Sequence, residues 1–356
     1  MKFCNYEMVL LTDQKQRQYF LGFNSSAGYV MHFRDVTVFV VDSRYYFAAK
    51  RALAKNKNID VICSGEYNAL VDYVRCRKIK YVGIDFSVTT IKQRNYFEKI
   101  LPEGTIFYDI GPELEYEMSI KSGEEIKAIK KACSIAEKSF WEALACLEEG
   151  VTEVEVAAEL EFRFKMNGAS DKSFDSIIAF GANSAVPHHE TGHTQLREGV
   201  PVLMDFGCIY KGYCSDMTRT LYFGKPTEEF MKNYKAVYDA HMNALNNIKA
   251  GMTGKEADAL ARDVLKERGL GDYFTHSLGH GIGVHVHEAP YLAPSRQNVL
   301  EEGMVFSNEP GVYFNGKYGL RIEDTCYLEG GVAHTLMKDD KRLLTIQNGK
   351  NKKINF

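Results

Sequence analysis

The chain has 356 residues, of which 45% are hydrophobic and 26% are charged, so it is long enough for two globular domains with sizeable cores. Its formal net charge of -3 and pI near 6.4 give no overall attraction to nucleic acid or to anionic membranes. No apolar run approaches the roughly eighteen residues of a membrane span, and the first residues lack a signal-peptide core. We therefore expect a cytoplasmic protein that acts on small partners, with neither nucleic acid nor membrane among them.

The N-terminal part of the chain alternates short β-rich runs with helix-like runs, which is an α/β pattern. Residues 36–41 and 80–84 predict strands, and residues 47–57 and 91–100 predict helices. Ser122-Gly-Glu-Glu125 has the Ser-x-x-Glu pattern of a capping box and predicts the start of a long helix. We therefore place a domain boundary near residue 120, between an N-terminal domain of residues 1–120 and a C-terminal domain of residues 121–356.

The C-terminal part repeats a helix-start pattern. Residues 150–155 (Gly-Val-Thr-Glu-Val-Glu) and 251–256 (Gly-Met-Thr-Gly-Lys-Glu) match at a shift that also places Gly168 on Gly269. Gly-x-Thr-x-x-Glu is a common helix start, but four matches in one register favour a duplicated domain. Each half is then expected to hold two helices followed by strands, with the ligand site in the cleft between the halves.

Asp205 and Asp216 form a first pair of candidate metal ligands. With a turn around Tyr210 and Lys211, relieved by Gly212, the two aspartates are expected to oppose each other across a hairpin and to share one face. Directly opposed β carbons lie about 4.5 to 5.5 Å apart, which is close enough for two carboxylates to hold the same metal ions.

Glu309 and Glu323 form a second pair, placed symmetrically about Gly316, although Pro310 is expected to distort the first strand. Any one such carboxylate is more often a solvated surface charge. Asp205 and Glu323, however, are flanked by apolar residues, and a carboxylate in a buried strand needs a cation or hydrogen-bond donors. Four carboxylates that face one cleft cannot all stay ionised without metal.

Residues 276–288 (His-Ser-Leu-Gly-His-Gly-Ile-Gly-Val-His-Val-His-Glu) contain four of the ten histidines. Taken alone, this stretch suits a metal site and a solvated loop equally. Beside four carboxylates, His280 is the favoured imidazole ligand, because its flanking glycines let backbone approach a metal or substrate closely. His285 and His287 alternate with valines as on a strand, and His287 is the better candidate for substrate contact. His276 is expected to be structural, and the role of His285 stays open.

Four carboxylates and one imidazole can bind two divalent ions about 3.5 to 4 Å apart, an arrangement used in hydrolysis. The eight cysteines are scattered without a Cys-x-x-Cys pair. They are therefore expected to be reduced thiols, and any bound metal is expected to have oxygen and nitrogen ligands.

Five short segments give a specific signal in combination: Leu-Met-Asp205-Phe-Gly, Cys-Ser-Asp216-Met-Thr-Arg-Thr, Gly-His280-Gly-Ile-Gly-Val-His-Val-His287-Glu, Ser-Asn-Glu309-Pro-Gly and Leu-Arg321-Ile-Glu323-Asp-Thr. Together they resemble the pita-bread metallopeptidases, in their aminopeptidase P and prolidase branch. The resemblance covers about residues 120–345, and the N-terminal part is more weakly similar to a creatinase-like domain. It implies an α/β creatinase-like N-terminal domain and an α+β pita-bread C-terminal domain with an internal pseudo-two-fold duplication. One departure is His285, where the branch usually has an acidic or polar residue.

The resemblance also implies roles for individual residues. Five residues would bind two divalent ions: Asp205, Asp216, His280, Glu309 and Glu323. Mn²⁺ is the expected metal, with Co²⁺ or Zn²⁺ as alternatives. Glu309 would also serve as the acid/base carboxylate, and His188 and His287 would hold the substrate and stabilise the tetrahedral intermediate. Arg321 would brace the site or contact the substrate, and the residues alone do not distinguish His188 from His189.

The implied reaction is removal of the N-terminal residue from peptides that have proline second, which is the activity of an Xaa-Pro aminopeptidase. An Xaa-Pro dipeptidase (prolidase) is the alternative, because the two share these motifs. No further basic residue is identified to bind a dipeptide carboxylate, so longer peptides are expected to be cleaved at least as efficiently. A catalytically inactive pita-bread binding module is a third hypothesis, which the complete ligand set disfavours. The expected partners are short proline-containing peptides and a second copy of the chain in a homodimer.

Overall fold

The computed structural model describes residues 5–65, 67–347 and 350–354. The chain divides into two compact units, Met1–Met118 and Ser119–Phe356. Seven of the cysteines lie among the described residues and all seven are free thiols, as expected, while Cys4 lies outside the described residues. Among the described residues, no helix combines the length and the apolar character that crossing a membrane requires.

The first unit is built from one mixed sheet and its helices. Its strands are β1 (Met8–Leu11), β2 (Tyr29–Phe33), β3 (Thr37–Val41), β4 (Ile59–Cys63), β5 (Tyr81–Ile84) and β6 (Ile106–Asp109). Its helices are α1 (Gln14–Leu21), α2 (Ser43–Leu53), α3 (Tyr67–Arg75), α4 (Ile91–Ile100) and α5 (Gly111–Ser119), which ends at the boundary.

The sheet of the first unit has the strand order β4-β3-β2-β1-β5-β6, in which β1, β2 and β3 pair antiparallel and the other pairs are parallel. The strands predicted at 36–41 and 80–84 are β3 and β5, which confirms the α/β pattern. The helix predicted at 47–57 begins earlier, at Ser43. Asp42 causes this shift, because its carboxylate accepts a hydrogen bond of 3.0 Å from the backbone N–H of Arg44 and so caps the helix.

The second unit contains four α-helices and fifteen strands among the described residues. The helices are α6 (Gly123–Ala143), α7 (Glu153–Met166), α8 (Glu228–Asn247) and α9 (Gly254–Glu267). The strands before α8 are β7 (Asp171–Lys172), β8 (Ile177–Phe180), β9 (Val200–Phe206), β10 (Cys208–Tyr210), β11 (Tyr213–Cys214) and β12 (Met217–Phe223). The strands after α9 are β13 (Gly279–Gly281), β14 (Glu288–Leu292), β15 (Val305–Asn308), β16 (Gly311–Phe314), β17 (Tyr318–Arg321), β18 (Asp324–Glu329), β19 (Val332–Thr335), β20 (Leu344–Gln347) and β21 (Lys350–Lys353).

The two halves of the second unit repeat the same plan, as the sequence repeat predicts. The pair α6–α7 precedes one five-stranded sheet, β21-β20-β12-β9-β8, and the pair α8–α9 precedes another, β14-β13-β15-β18-β19. Thr152 and Thr253 each form a capping box with the Glu three residues on. Gly168 and Gly269 follow α7 and α9 at φ values of 100° and 73°, where residues with a β carbon are strained.

Aromatic residues pack one helix of each pair against the same sheet, β21-β20-β12-β9-β8. The ring of Phe140 on α6 stacks on Phe206 of β9 at 5.6 Å, and Phe230 on α8 meets Tyr222 of β12 at 4.9 Å. Hydrogen bonds then join the two halves, since the Thr325 hydroxyl on β18 donates to the carbonyl of Asp216 at 2.7 Å. The candidate ligand Asp216 therefore lies where the two halves of the second unit meet.

The register of β9 and β12 corrects the prediction for Asp205 and Asp216. The turn lies at Lys211-Gly212, close to where it is predicted, but Asp205 pairs with Thr218. Extension of this register places Asp216 opposite Gly207, so the two aspartates are diagonal rather than directly opposed. Diagonal neighbours share a face at about 7–8 Å between α carbons, so their side chains still point the same way.

The second carboxylate pair has the predicted symmetry. Asn308 at the end of β15 pairs with Asp324 at the start of β18, and Gly311 at the start of β16 pairs with Arg321 at the end of β17. These pairings share one register about Gly316, and Pro310 interrupts the ladder between them. Glu309 and Glu323 both lie in this interruption, and extension of the register gives them matching positions about Gly316.

Candidate metal centre and substrate cavity

All eight side chains that the sequence singles out for the site line one cavity of about 650 Å³ in the second unit. The lining residues are Phe174, Asp175, Ile177, Pro187, His188, Asp205, Asp216, Thr275, His276, Ser277, His280, His287, Tyr291, Glu309, Arg321 and Glu323. Both halves contribute, with β8, β9 and their loops on one side and residues 275–323 on the other. The cavity therefore forms within the duplicated unit.

His280 lies at the centre of the carboxylates. Ligand atoms of Asp216, His280 and Glu323 all lie within 4.8 Å of one another. The Nε2 atom of His280 is 3.3 Å from Oε1 of Glu309 and 3.6 Å from Oδ2 of Asp216. Nδ1 of His280 is 3.2 Å from the carbonyl of Gly281, which assigns its proton to Nδ1 and leaves the Nε2 lone pair facing the carboxylates.

The carboxylates repel one another in a buried site. Burial and the neighbouring carboxylates raise the pKa of Asp216 and of Glu323 well above their usual values, and burial raises the pKa of Glu309 to about 7. Burial lowers the pKa of His280, so its ring is the neutral form that binds metals. A cluster of this kind holds its full negative charge near neutral pH only when a cation is present.

The hydrogen bonding of Asp205 indicates where a cation can bind. Its Oδ2 atom accepts a hydrogen bond of 2.5 Å from Arg321, but its Oδ1 atom is buried and has no hydrogen-bond partner among the described protein atoms. A buried carboxylate oxygen without a donor is costly unless it binds an ion. Four carboxylates and one neutral imidazole suit divalent ions such as Mn²⁺ and Zn²⁺, so the residues fit a metal centre.

Arg321 holds two of these ligands in place, Asp205 directly and Glu323 through Thr218. Its three guanidinium nitrogens donate to Asp205, to the Tyr313 hydroxyl at 2.6 Å and to the Thr218 hydroxyl at 3.0 Å. Thr218 in turn donates to Oε2 of Glu323 at 2.6 Å. The side chain of Arg321 is 4% exposed, so this geometry agrees with the bracing role and commits each nitrogen to a protein partner.

His276 and Tyr313 extend the same network, and sequence reasoning missed their part in the site. The Nε2 atom of His276 lies 2.9 Å from the Tyr313 hydroxyl, and its Nδ1 lies 2.8 Å from the carbonyl of Ser277. Burial lowers the pKa of His276 to about 3, so the ring stays neutral. His276 is thus structural, as predicted, but it also lines the cavity. The His-rich stretch is its only sequence signal, because its partner is 37 residues away.

The structure separates His188 from its neighbour. His188 lines the cavity, whereas Nε2 of His189 lies 2.9 Å from Oε2 of the fully buried Glu153. Glu153 also accepts hydrogen bonds from the backbone N–H groups of Phe180 and Gly192, so it anchors the loop between them. His189 is therefore a structural contact of that loop.

His287 lines the cavity with its ring centroid 4.1 Å from that of His280. Partial burial and the neighbouring His280 lower the pKa of His287 to about 4. Residues 283–287 form a series of bends, so the prediction that His285 and His287 alternate along a strand is wrong. Only His287 of the two is among the described residues that line the cavity.

The glycines beside His280 serve close packing between strands. A β carbon at Gly279 would lie 2.0 Å from the carbonyl oxygen of Ser307, and one at Gly281 would lie 2.0 Å from that of Ala289. The expectation of close backbone approach therefore holds, but the approaching groups are the neighbouring strands of the sheet.

Comparisons with known proteins fit this geometry. The model of metallopeptidase family M24 matches residues 127–329, and that of the creatinase/prolidase N-terminal domain matches residues 1–116. The chain belongs to metallopeptidase family M24. It therefore has a creatinase-like N-terminal domain and a pita-bread catalytic domain, and its family membership implies that it is an enzyme that uses divalent metal ions.

Relatives in family M24 match this chain over nearly its whole length. An Xaa-Pro dipeptidase from Pyrococcus furiosus is 38% identical over 332 residues, which are 92% of each chain. The solved Xaa-Pro dipeptidase from Bacillus anthracis is 36% identical, has a TM-score of 0.90 and covers 96% of this chain and 95% of its own. The X-Pro aminopeptidase from Thermotoga maritima is 31% identical, also with a TM-score of 0.90, over 96% and 98%.

Proposed function

We propose that this M24 metallopeptidase is an Xaa-Pro dipeptidase, a prolidase, which hydrolyses the bond between an N-terminal residue and a following proline. The observation that carries the proposal is a complete candidate ligand set in one cavity of a chain that relatives named Xaa-Pro dipeptidase match over 92% to 96% of its length. Prolidase replaces the aminopeptidase as the leading hypothesis, because the named dipeptidases predominate among these relatives.

In this proposal the ligands are Asp205, Asp216, His280, Glu309 and Glu323, and the native metal is Mn²⁺. Two divalent ions bound there would lower the pKa of a water molecule and polarise the scissile carbonyl. Asp205 can offer its unpartnered Oδ1 atom, while Arg321 holds Oδ2. His280 offers Nε2, because its Nδ1 proton is engaged by backbone.

Glu309 and the two cavity histidines, His188 and His287, act on the substrate itself in this proposal. An Xaa-Pro bond is a tertiary amide without an N–H, so the proline nitrogen must receive a proton to leave as an amine. Glu309 faces the centre beside His280 and is the carboxylate that transfers this proton. His188 and His287 line the cavity as hydrogen-bonding groups that hold the peptide and stabilise charge on its carbonyl oxygen.

One observation favours an Xaa-Pro aminopeptidase as the second candidate. Among the described residues that line the cavity, Arg321 is the only arginine or lysine, and its nitrogens are committed to Asp205, Tyr313 and Thr218. A dipeptidase must bind the free carboxylate that follows proline, whereas an aminopeptidase leaves that end open.

The deciding experiment compares three substrates at one saturating Mn²⁺ concentration: Ala-Pro, Ala-Pro-amide and Ala-Pro-Ala. A dipeptidase should prefer Ala-Pro to both others by tenfold or more in kcat/KM, which is about 1.4 kcal/mol of transition-state binding. Equal or better cleavage of Ala-Pro-Ala would instead establish the aminopeptidase. Ala-Ala is assayed under the same conditions as a proline-free control, and its cleavage without cleavage of any proline substrate would refute both.

Substitution of Co²⁺ or Zn²⁺ for Mn²⁺ in the same assay tests the choice of metal. The cytoplasmic location and the homodimer stay predictions, and size-exclusion chromatography with light scattering tests the latter.

A further inference from the structure

Lys121 and Glu288 form a buried ion pair that the proposed reaction does not use. Nζ of Lys121 lies 2.6 Å from Oε1 of Glu288, and the two side chains are only 1% and 7% exposed. Taking two charges out of water is costly, and the cost is offset only when further hydrogen bonds fix both groups. The partners of each group therefore show what the pair holds in place.

The lysine end is fixed to backbone at two points. The ammonium group of Lys121 also donates to the carbonyl of Ser119 at 3.1 Å. Its backbone N–H donates to the carbonyl of Gly303 at 3.0 Å, and Ile120 forms a β-bridge with Met304 just before β15. Lys121 is therefore a rigid support attached to the strand that leads to Glu309.

The glutamate end holds the turn of residues 283–288. Oε2 of Glu288 accepts a hydrogen bond of 3.2 Å from the backbone N–H of His285, whose carbonyl accepts one of 2.9 Å from Gly283. The carboxylate packs into this turn so closely that a β carbon at Gly283 would lie 2.3 Å from its Oε1 atom. His287 lies within the turn, directly before Glu288, and its ring reaches the cavity beside His280.

We propose that the Lys121–Glu288 pair positions His287, by fixing the turn that carries it against the cavity wall. Lys121 and Glu288 are positioning residues, since neither lines the cavity. This inference rests on the proposed function, in which His287 contacts the substrate.

A double-mutant cycle on the Mn²⁺-loaded enzyme tests this positioning role. Lys121→Met and Glu288→Gln should each lower kcat for Ala-Pro by about 10- to 100-fold, while KM and the bound metal per chain change less than about threefold. In a His287→Ala background, Lys121→Met should change kcat by less than about threefold, because the residue it positions is already gone. Lys235→Met makes the same substitution at a partly exposed ion pair, with Asp239 on α8, and as a control should leave kcat unchanged.

Two outcomes would overturn the inference. If the fold losses of kcat from Lys121→Met and His287→Ala multiply in the double variant, Lys121 acts independently of His287. If Lys121→Met lowers the melting temperature or the metal content but leaves kcat per bound metal unchanged, the ion pair is purely structural. If Lys121→Met does not fold, Glu288→Gln, which keeps the shape of the side chain, decides by the same criteria.

A readout without turnover separates this inference from the proposed function. Histidine-selective NMR of the metal-free protein, with the His287 signal assigned by its loss in His287→Ala, should show that signal displaced in Lys121→Met. The signal of His334 on β19 should not move. An undisplaced His287 signal would overturn the positioning role even if the wild-type enzyme cleaves Ala-Pro. A displaced signal in a protein that cleaves no Xaa-Pro peptide would support it while refuting the proposed substrate.

Discussion

Replacement of Arg321 by Met should destabilise the metal-free protein far more than the metal-loaded protein. Arg321 is the cation beneath the ligand set, and in the metal-free protein it is the main compensation for Asp205. Its removal leaves both carboxylate oxygens of Asp205 unpartnered and removes the donors to Tyr313 and Thr218. When metal is bound, the metal cations would instead balance the buried negative charge of Asp205.

The magnitude follows from the cost of breaking a buried ion pair, which is about 3–5 kcal/mol. In a folding unit of about 150–250 residues, each kcal/mol shifts the melting temperature by about 2–4 °C. The metal-free Arg321→Met variant should therefore melt about 6–20 °C below the wild type. The Mn²⁺-loaded variant should lose less than about half of that, because only the bonds to Tyr313 and Thr218 remain uncompensated.

Differential scanning calorimetry in EDTA and in saturating Mn²⁺ measures both shifts. Arg262→Met is the matched control, because Arg262 forms a similarly buried pair with Asp258, which is not a candidate ligand. Its loss of stability should be the same in both conditions. Equal losses for Arg321→Met in EDTA and in Mn²⁺, or a loss below about 2 °C in EDTA, would refute the argument.

Three further predictions concern the same site. The raised pKa values of Asp216, Glu323 and Glu309 mean that the metal-free fold is favoured at low pH and loses stability as pH rises from the usual carboxyl range through about 7. The gap in melting temperature between Mn²⁺-loaded and EDTA-treated protein should therefore widen from pH 5.5 to pH 8, and a constant gap would contradict this. Glu309→Gln should lower kcat for Ala-Pro by about 10²- to 10⁴-fold, and Asp216→Asn should abolish hydrolysis, with saturating Mn²⁺ present. Near-normal turnover by either variant would exclude the dinuclear mechanism. His287→Ala should reduce kcat much more than the metal content measured by mass spectrometry, whereas parallel losses would make His287 a ligand.

Short sequence patterns predict the features that depend on neighbouring residues alone, such as helix caps and the register set by one turn. The capping boxes at Thr152 and Thr253 form as expected, because a hydroxyl and a carboxylate three residues apart satisfy the first N–H groups of a helix wherever it packs. The symmetry of Glu309 and Glu323 is also predictable, since one turn at Gly316 sets the register on both sides of Pro310.

Register and distant contacts were harder to predict. Asp205 and Asp216 lie on the same face of the hairpin but are diagonal neighbours rather than directly opposed, because the turn is centred on Lys211-Gly212. A turn shifted by one residue along the chain moves every partner across the hairpin by two residues. The contact of Lys121 with Glu288 spans 167 residues, and no periodicity or spacing encodes such a pair.

The close packing around the His-Gly strand has a consequence for changing what this enzyme cleaves. At Gly279, Gly281 and Gly283 an added methyl group would collide with backbone or with the Glu288 carboxylate, so libraries that randomise these codons should yield almost entirely unfolded or inactive clones. Phe174 and Tyr291 lie in the cavity wall without being candidate ligands, so substitutions there change the wall and remove no candidate ligand. Directed evolution toward other peptides should therefore accumulate its substitutions at such wall positions and leave the glycines untouched.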